Sequence, residues 1–411
     1  MVGTVMGRTQ RWAVATAARP PPGQNTVPDR CDPERIDDAD AMALLREWET
    51  VGGPVLEESV VAPPAELSGA KPPEELGVRR FHRTIDTTWR RTSYSGLIRA
   101  ADTTGVSSEP EVVQLDDEVA DIAVSTPPAG TDVPSPMADL PTGAKFGSLV
   151  HAVLETADPF AADLTAELRV QIDRHSVWWP VEVAAAELAE ALVPMHDTSL
   201  GPLADGLTLR QIGLRDRLCE MDFEFPLAGG DLVAARQDIW LADVGRLLRE
   251  HLPADDPLAS YADRLGGGAL GGQSLRGYLS GSVDAVLRIP DGAGHRYLVV
   301  DYKTNWLGEA DRPLSAADYD RARMAEAMLH SDYPLQALLY SVVLHRFLRW
   351  RQPGYEPDRH LGGVLYLFVR GMCGPATPTS DGHPAGVFSW RPPAGLVVAV
   401  SDLLDGRRVA A

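Results

Sequence analysis

Gly277-Tyr-Leu-Ser-Gly-Ser-Val-Asp284-Ala-Val-Leu-Arg-Ile289, followed after a glycine-containing turn by Tyr297-Leu-Val-Val-Asp301-Tyr-Lys303-Thr304, is the stretch from which the fold of this chain can be read. Two apolar, β-branched runs joined through a short loop at Asp291 to His295 read as paired strands. Side chains alternate across a strand, so Asp301 and Lys303 share one face and Tyr302 takes the other. The same alternation puts Val283, Ala285 and Leu287 on one face of the first strand and Asp284 on the opposite one. Two carboxylates and an ammonium group therefore converge within an apolar strand pair, where an unpartnered charge is costly. A buried ion pair without chemistry would answer that cost. A bound divalent cation answers it as well, being the natural counter-charge for two aspartates, and points to metal-assisted phosphodiester hydrolysis.

With Asp284 as first acid and Asp301-Tyr302-Lys303 as the D-x-K element, the stretch resembles the active-site pattern of the PD-(D/E)XK nuclease superfamily. The surrounding text narrows the resemblance. Asp301-Tyr-Lys-Thr-Asn-Trp-Leu-Gly308, Tyr333-Pro-Leu-Gln336-Ala-Leu-Leu-Tyr340 and Gly362-Gly-Val-Leu-Tyr-Leu-Phe-Val-Arg-Gly-Met372 follow in the order found in the C-terminal nuclease domain of RecB, a subunit of exodeoxyribonuclease V. Upstream, Phe146-Gly-Ser-Leu-Val-His151-Ala-Val-Leu-Glu155 is similar to the helix that brings a histidine to the metal in that family, and Ser93-Tyr-Ser95 to the segment that leads into the domain. The resemblance runs from about Trp89 to about Trp390. It implies an α/β fold with a restriction-endonuclease-like core, a central mixed sheet flanked by helices, plus a helical insertion and an irregular N-terminal region. Three parts are expected: residues 1–88, irregular; 89–142, a lead-in with an acidic linker; and 143–411, the nuclease domain.

The resemblance also implies roles. Asp284, Asp301 and His151 would hold Mg2+, with the Tyr302 backbone carbonyl as a further ligand. Lys303 would donate to the attacking water or the transition state. Mn2+ should substitute, since imidazole suits it better than Mg2+. Glu155, one turn after His151, reads either as a hydrogen-bond partner to the histidine or a bound water, or as a solvent-facing glutamate. Gln336 and Tyr340 are four apart and share a helix face; they either position Lys303 or a DNA phosphate, or form a polar pair at the edge of the core. Thr304 and Asn305 are candidates for phosphate contact. The implied partners are DNA, RecC and RecD, a RecB-type helicase portion and the strand-exchange protein RecA. A docking module without catalysis and a stand-alone restriction or repair nuclease are the competing functions.

Composition agrees with a globular enzyme: 411 residues, 44% hydrophobic, enough for a sizeable core. The net charge of -20 is unusual for a chain that meets DNA. Residues 101–140 hold nine of the acids and no Lys or Arg, among Thr126-Pro-Pro and Pro134-Ser-Pro, and read as an acidic tether or a DNA mimic. Net charge governs solubility, whereas phosphate binding needs only a local cationic site. Cys31, Cys219 and Cys373 lie far apart without a CxxC pair, which argues against zinc, disulfides or a four-cysteine iron–sulfur cluster. No Gly-Lys pair followed by Ser or Thr occurs, so these residues carry no Walker-type ATP site. No apolar run is long enough for a membrane span, and Met1 to Pro22 is a poor secretory signal, so a cytoplasmic location is expected. Helices are predicted over Asp38 to Thr50, from Phe146 to about Met195, over Asp231 to Leu252, and twice within 313–351. Strands are predicted at Glu220 to Pro226 and Gly363 to Arg370.

Overall fold

The computed structural model describes residues 38–50, 89–102, 132–230, 238–292, 294–309 and 312–406. The chain divides into two units, Met1–Arg83 and Thr84–Ala411. In the first, helix α1 spans Asp38–Thr50, as its leucine and alanine spacing predicts. Of the acidic segment, residues 103–131 lie outside the described residues.

The second unit is built on a mixed sheet. Its strands are β1 (Arg90–Thr92), β2 (Arg217–Pro226), β3 (Gly277–Asp291), β4 (Gly294–Lys303), β5 (Leu361–Phe368) and, after the small hairpin of β6 (Thr379–Ser380) and β7 (His383–Pro384), β8 (Val387–Trp390). The order is β1-β3-β4-β5-β8, with β2 also paired to β3. The β1–β3 and β4–β5 ladders are parallel and the others antiparallel. A parallel β4–β5 pair needs a crossover, and residues 304–360 supply it through helices α7 (Arg321–His330) and α8 (Tyr333–Arg351).

Helices cover both faces. Helices α3 (Ala144–Thr156), α4 (Leu164–His175) and α5 (Ala185–Asp197) pack with Leu298, Val300, Leu365 and Leu367 in one apolar cluster. On the other face α2 (Tyr94–Asp102), α6 (Leu241–His251), α7, α8 and α9 (Ala394–Leu404) pack with Val299, Val364, Tyr366 and Phe368. Strand segments buried on both faces read as apolar runs, which is why Leu298–Val300 of β4 and the whole of β5 are legible. The α/β class and the mixed sheet flanked by helices are as expected.

Three local expectations change. The helix anticipated from Asp231 begins only at Leu241, because Trp240 is extended and bridges to Ser274; residues 231–237 lie outside the described residues. The strand expected to reach Arg370 stops at Phe368, and Val369–Gly371 form a 3-10 turn. In β3 the alternation does not run through Asp284: Val283 joins one cluster, whereas Ala285 and Leu287 join the other. The strand therefore switches faces at the aspartate.

The switch falls where the strands bordering β3 change. Strand β2 occupies one edge along residues 278–287, so β1 and β4 must share the other. On it β1 pairs with residues 277–279 and β4 with 285–291. Between them residues 280–284 pair with no strand on that edge, and Asp284 closes this gap.

Helix α3 approaches the sheet closely through Gly147, where an added Cβ would lie 3.0 Å from Thr304 Oγ1. Thr304 is buried, so it has little room to give. Gly147→Ala should therefore destabilise the protein despite the better helix propensity of alanine, and Thr304→Ala in the same molecule should recover much of the loss. Urea denaturation of the two single variants and the double variant measures the coupling; strict additivity would contradict it. A second prediction concerns acid. His196, buried in α5 beside Leu192 O at 2.9 Å, has its pKa lowered to about 4 by burial, with Arg217 and Arg210 adding to the shift. The unfolded chain then takes up the proton first, so this contribution is present above about pH 6.5 and is lost as pH falls towards 4. Unfolding free energy measured across that interval should fall less steeply in His196→Gln than in the parent.

Candidate active site

The site lies where β3 and β4 part. Their register, with Ala285 opposite Val300, carries on to put Asp284 opposite Asp301. The ladder ends there, and the Tyr302 backbone N–H donates instead to Asp284 Oδ2 at 2.8 Å. The carboxylate thus replaces the missing strand partner and is held in place by doing so. Helix α3 delivers His151 to the same atom, with Nδ1 3.2 Å from Asp284 Oδ2, while the imidazole meets the Tyr302 ring edge-on at 6.0 Å.

On β4, Lys303 Nζ lies 2.9 Å from Asp301 Oδ2, and both side chains are nearly inaccessible. The ammonium also sits over the Tyr333 ring, 4.0 Å from its centre, and 5.6 Å from that of Tyr366. Cation–π contact of this kind stabilises a desolvated charge. Behind it, Tyr366 Oη donates to Gln336 Oε1 at 2.9 Å and Gln336 Nε2 to Tyr340 Oη at 3.2 Å. Gln336 and Tyr340 are thus joined to each other and, through Tyr366, stand beside the lysine.

Electrostatics separate the two aspartates. Burial works to raise the Asp284 carboxyl, yet His151, the Tyr302 N–H and Lys303 together hold it below the usual carboxylate range. Burial likewise works to lower His151, and Asp284 overcomes it, so the imidazole is raised. Asp301 is pushed up to about 7 by burial, against the pull of Lys303 and with the help of Asp284.

Among the described residues no group of three or more His, Cys, Asp or Glu is gathered tightly enough to form a ready-made metal cage. The site is instead divided between two contacts, His151 with Asp284 and Lys303 with Asp301. The residues nevertheless fit a hard cation. Asp301 Oδ2 is buried without a hydrogen bond of good geometry, although Lys303 Nζ is near, and the oxygens of two carboxylates are the donors such an ion takes.

The remaining candidates divide. Glu155 is exposed on α3, one turn beyond His151. Thr304 and Asn305 are buried and bonded inward: Thr304 O accepts from Arg370 Nε at 2.8 Å, Asn305 O accepts from Tyr319 Oη at 2.9 Å, and Asn305 Nδ2 donates to Tyr333 Oη at 3.3 Å. Sequence reasoning missed Glu220. The pairs Cys219 with Ala285 and Met221 with Val283 bracket it opposite Asp284, so Glu220, Asp284 and Asp301 form one row across β2, β3 and β4. Ser282 Oγ donates to Glu220 Oε2 at 2.7 Å, and the backbone of Glu220 has φ 45°. Burial raises its carboxyl, against the Ser282 bond, and Asp284 and Glu155 raise it further. Three acids alternate in Glu220-Met-Asp222-Phe-Glu224, and only the register and the positive φ single out the first. Tyr333 and Tyr366 were also missed, because an aromatic in an apolar run carries no mark of a cation above it.

No protein-family model matches the chain. Curated relatives do. The chain is 69% identical over 386 residues to the RecBCD enzyme subunit RecB of Mycolicibacterium smegmatis, an alignment that covers 93% of this chain and 35% of that protein. It is 62% identical over 392 residues to the RecB subunit of Mycobacterium tuberculosis, covering 94% and 35%. Identity to RecB of Escherichia coli is 32% over 336 residues, covering 81% and 24%. Over more than nine-tenths of its length the chain is thus homologous to RecB, and it spans about a third of the length of its mycobacterial relatives.

Proposed function

We propose that the chain is a Mg2+-dependent deoxyribonuclease of RecB type, built on a PD-(D/E)XK core, that hydrolyses phosphodiester bonds of DNA and chiefly of single strands. The observation that carries this reading is the meeting of Asp284, Asp301, Lys303 and His151 at one break in a sheet, in a chain related to RecB. The residues that would hold the cation are Asp284, Asp301 and His151, with the Tyr302 carbonyl and Glu220 beside them. When bound, Mg2+ or Mn2+ supplies Lewis-acid neutralisation of the scissile phosphate and acidifies a water.

The chain's own groups do the rest. Lys303 is positioned by Asp301 and by the face of Tyr333, and its N–H groups donate to a phosphate oxygen as negative charge builds on it. Tyr340 and Gln336 restrict where that ammonium can move. The Tyr302 N–H bond fixes Asp284 and spares it a search among rotamers. Exclusion of water from the buried Asp301–Lys303 pair strengthens each of these interactions. Every residue named keeps its covalent state through the reaction.

The relatives' name supports a role. As part of a RecBCD-type assembly the domain would act in double-strand-break repair and recombination, on strands delivered by a RecB-type helicase portion, alongside RecC and RecD and in contact with RecA. A docking module for those partners is the second reading, and it is compatible with catalysis at the same time. Among the described residues no helix is long and apolar enough to cross a membrane.

Cleavage of labelled single-stranded and double-stranded DNA by the purified chain tests the proposal. With Mg2+ the parent should cut single strands, and Asp284→Ala and Asp301→Ala should abolish cutting while circular dichroism stays unchanged. Lys303→Ala should slow it by about 10²-fold, the scale of losing one charge-stabilising donor. Equal cutting by the parent and Asp301→Ala would sink the assignment.

A further inference from the structure

Arg370 lies outside the proposed cation site, yet it is the largest completely buried side chain of the described protein. Burying a guanidinium is tolerable only where its donors are met. Here Nε donates to Thr304 O at 2.8 Å, Nη1 to Met137 O at 2.9 Å and to Leu140 O at 3.3 Å, and Nη2 to Pro141 O. The ring of Phe146 lies 4.9 Å from its central carbon and that of Trp306 5.6 Å away. Its own carbonyl accepts from Ser135 Oγ at 2.6 Å, and the same hydroxyl accepts from Met137 N at 3.1 Å.

What these acceptors belong to gives the arrangement its meaning. Thr304 follows directly on Lys303, so the Nε bond grips the end of the strand that carries Asp301 and Lys303. Residues 137–141 lead into α3, which starts at Ala144, presents Phe146 to the guanidinium in its first turn and carries His151 two turns on. One planar group therefore spans the exit of β4 and the entry of α3. The contact of Gly147 with Thr304 closes the same joint from the helix side. The five donors of a guanidinium diverge in one plane and can meet several carbonyls at once, which a lysine ammonium on a flexible stem cannot do.

We propose that Arg370 is a positioning residue of the active site, which sets the spacing between the strand end bearing Asp301 and Lys303 and the helix bearing His151. The inference rests on the nuclease reading given above. A joint that slips by a fraction of an ångström would leave DNA binding in place and separate the reacting groups, so the loss falls on turnover.

The test uses Arg370→Lys, which keeps the charge and loses the fork, and Ser135→Ala, which loosens the same joint with Arg370 intact. Two readouts are taken on the whole chain: single-strand cleavage with Mg2+, and the side-chain nitrogen NMR signals of His151 in metal-free protein at fixed pH, assigned with His151→Gln. Folded Arg370→Lys should lose about tenfold or more in kcat with KM for DNA within about twofold, and its His151 signals should move. Ser135→Ala should change both in the same direction by less. Folded Arg370→Lys with parental kcat and parental His151 signals would overturn the proposal, as would a rise in KM alone. Should Arg370→Lys fail to fold, Ser135→Ala decides by the same criteria. Should the parent itself fail to cleave DNA, the nuclease reading falls and the His151 signals alone decide the positioning claim.

Discussion

The hydrogen bond from the Tyr302 backbone N–H to the Asp284 carboxylate is the constraint on which the site depends. A sheet tolerates an unpaired backbone donor in its interior only at a cost. The gap between β1 and β4 along the edge of β3 creates such a donor, and a side chain fills it. Because Asp284 is engaged in this way, its position is set by the backbone of two strands. His151 needs only to meet a carboxylate that is already fixed. Asp301 and Lys303 follow from strand alternation on the far side of the same peptide.

Charge is handled economically around this gap. One carboxylate is lowered and paired with an imidazole, while the other is raised by burial and faces an ammonium. Lys303 is further held by aromatic faces, which desolvate it without neutralising it. Glu220 adds a third carboxylate in the same row, raised in the same sense as Asp301. Such an accumulation of acids within one sheet costs stability in the absence of a counter-charge, and perturbed groups of this kind cluster at functional sites. The surrounding structure offsets this cost with two apolar clusters, one on each face of the sheet.

Much of this is legible in the residues alone, for physical reasons. Leu298–Val300 of β4 and the whole of β5 are buried and read as apolar runs, and the helix Asp38–Thr50 shows its own period. Asp301 and Lys303 are two apart, so their convergence needs no tertiary information. Glu220 is different: its place opposite Asp284 depends on how β2 registers against β3, and several acids compete for it. The face switch at Asp284 was equally hidden, since it interrupts the alternation at the place where the strands bordering β3 change. Arg370 reads as one more residue after a buried strand, and three of its four carbonyl partners lie about 230 residues earlier in the chain. Long-range placement of this sort is what local pattern cannot supply.

The central claim is that Asp284, Asp301 and His151 together form a cation site. Anomalous diffraction from a crystal of the chain soaked in Mn2+ tests it most directly. The account predicts a single strong peak, or a close pair, bounded by the two carboxylates and the imidazole, with the Lys303 ammonium drawn off Asp301. Ordered side chains with no peak between them, or a peak only elsewhere on the molecule, would contradict it.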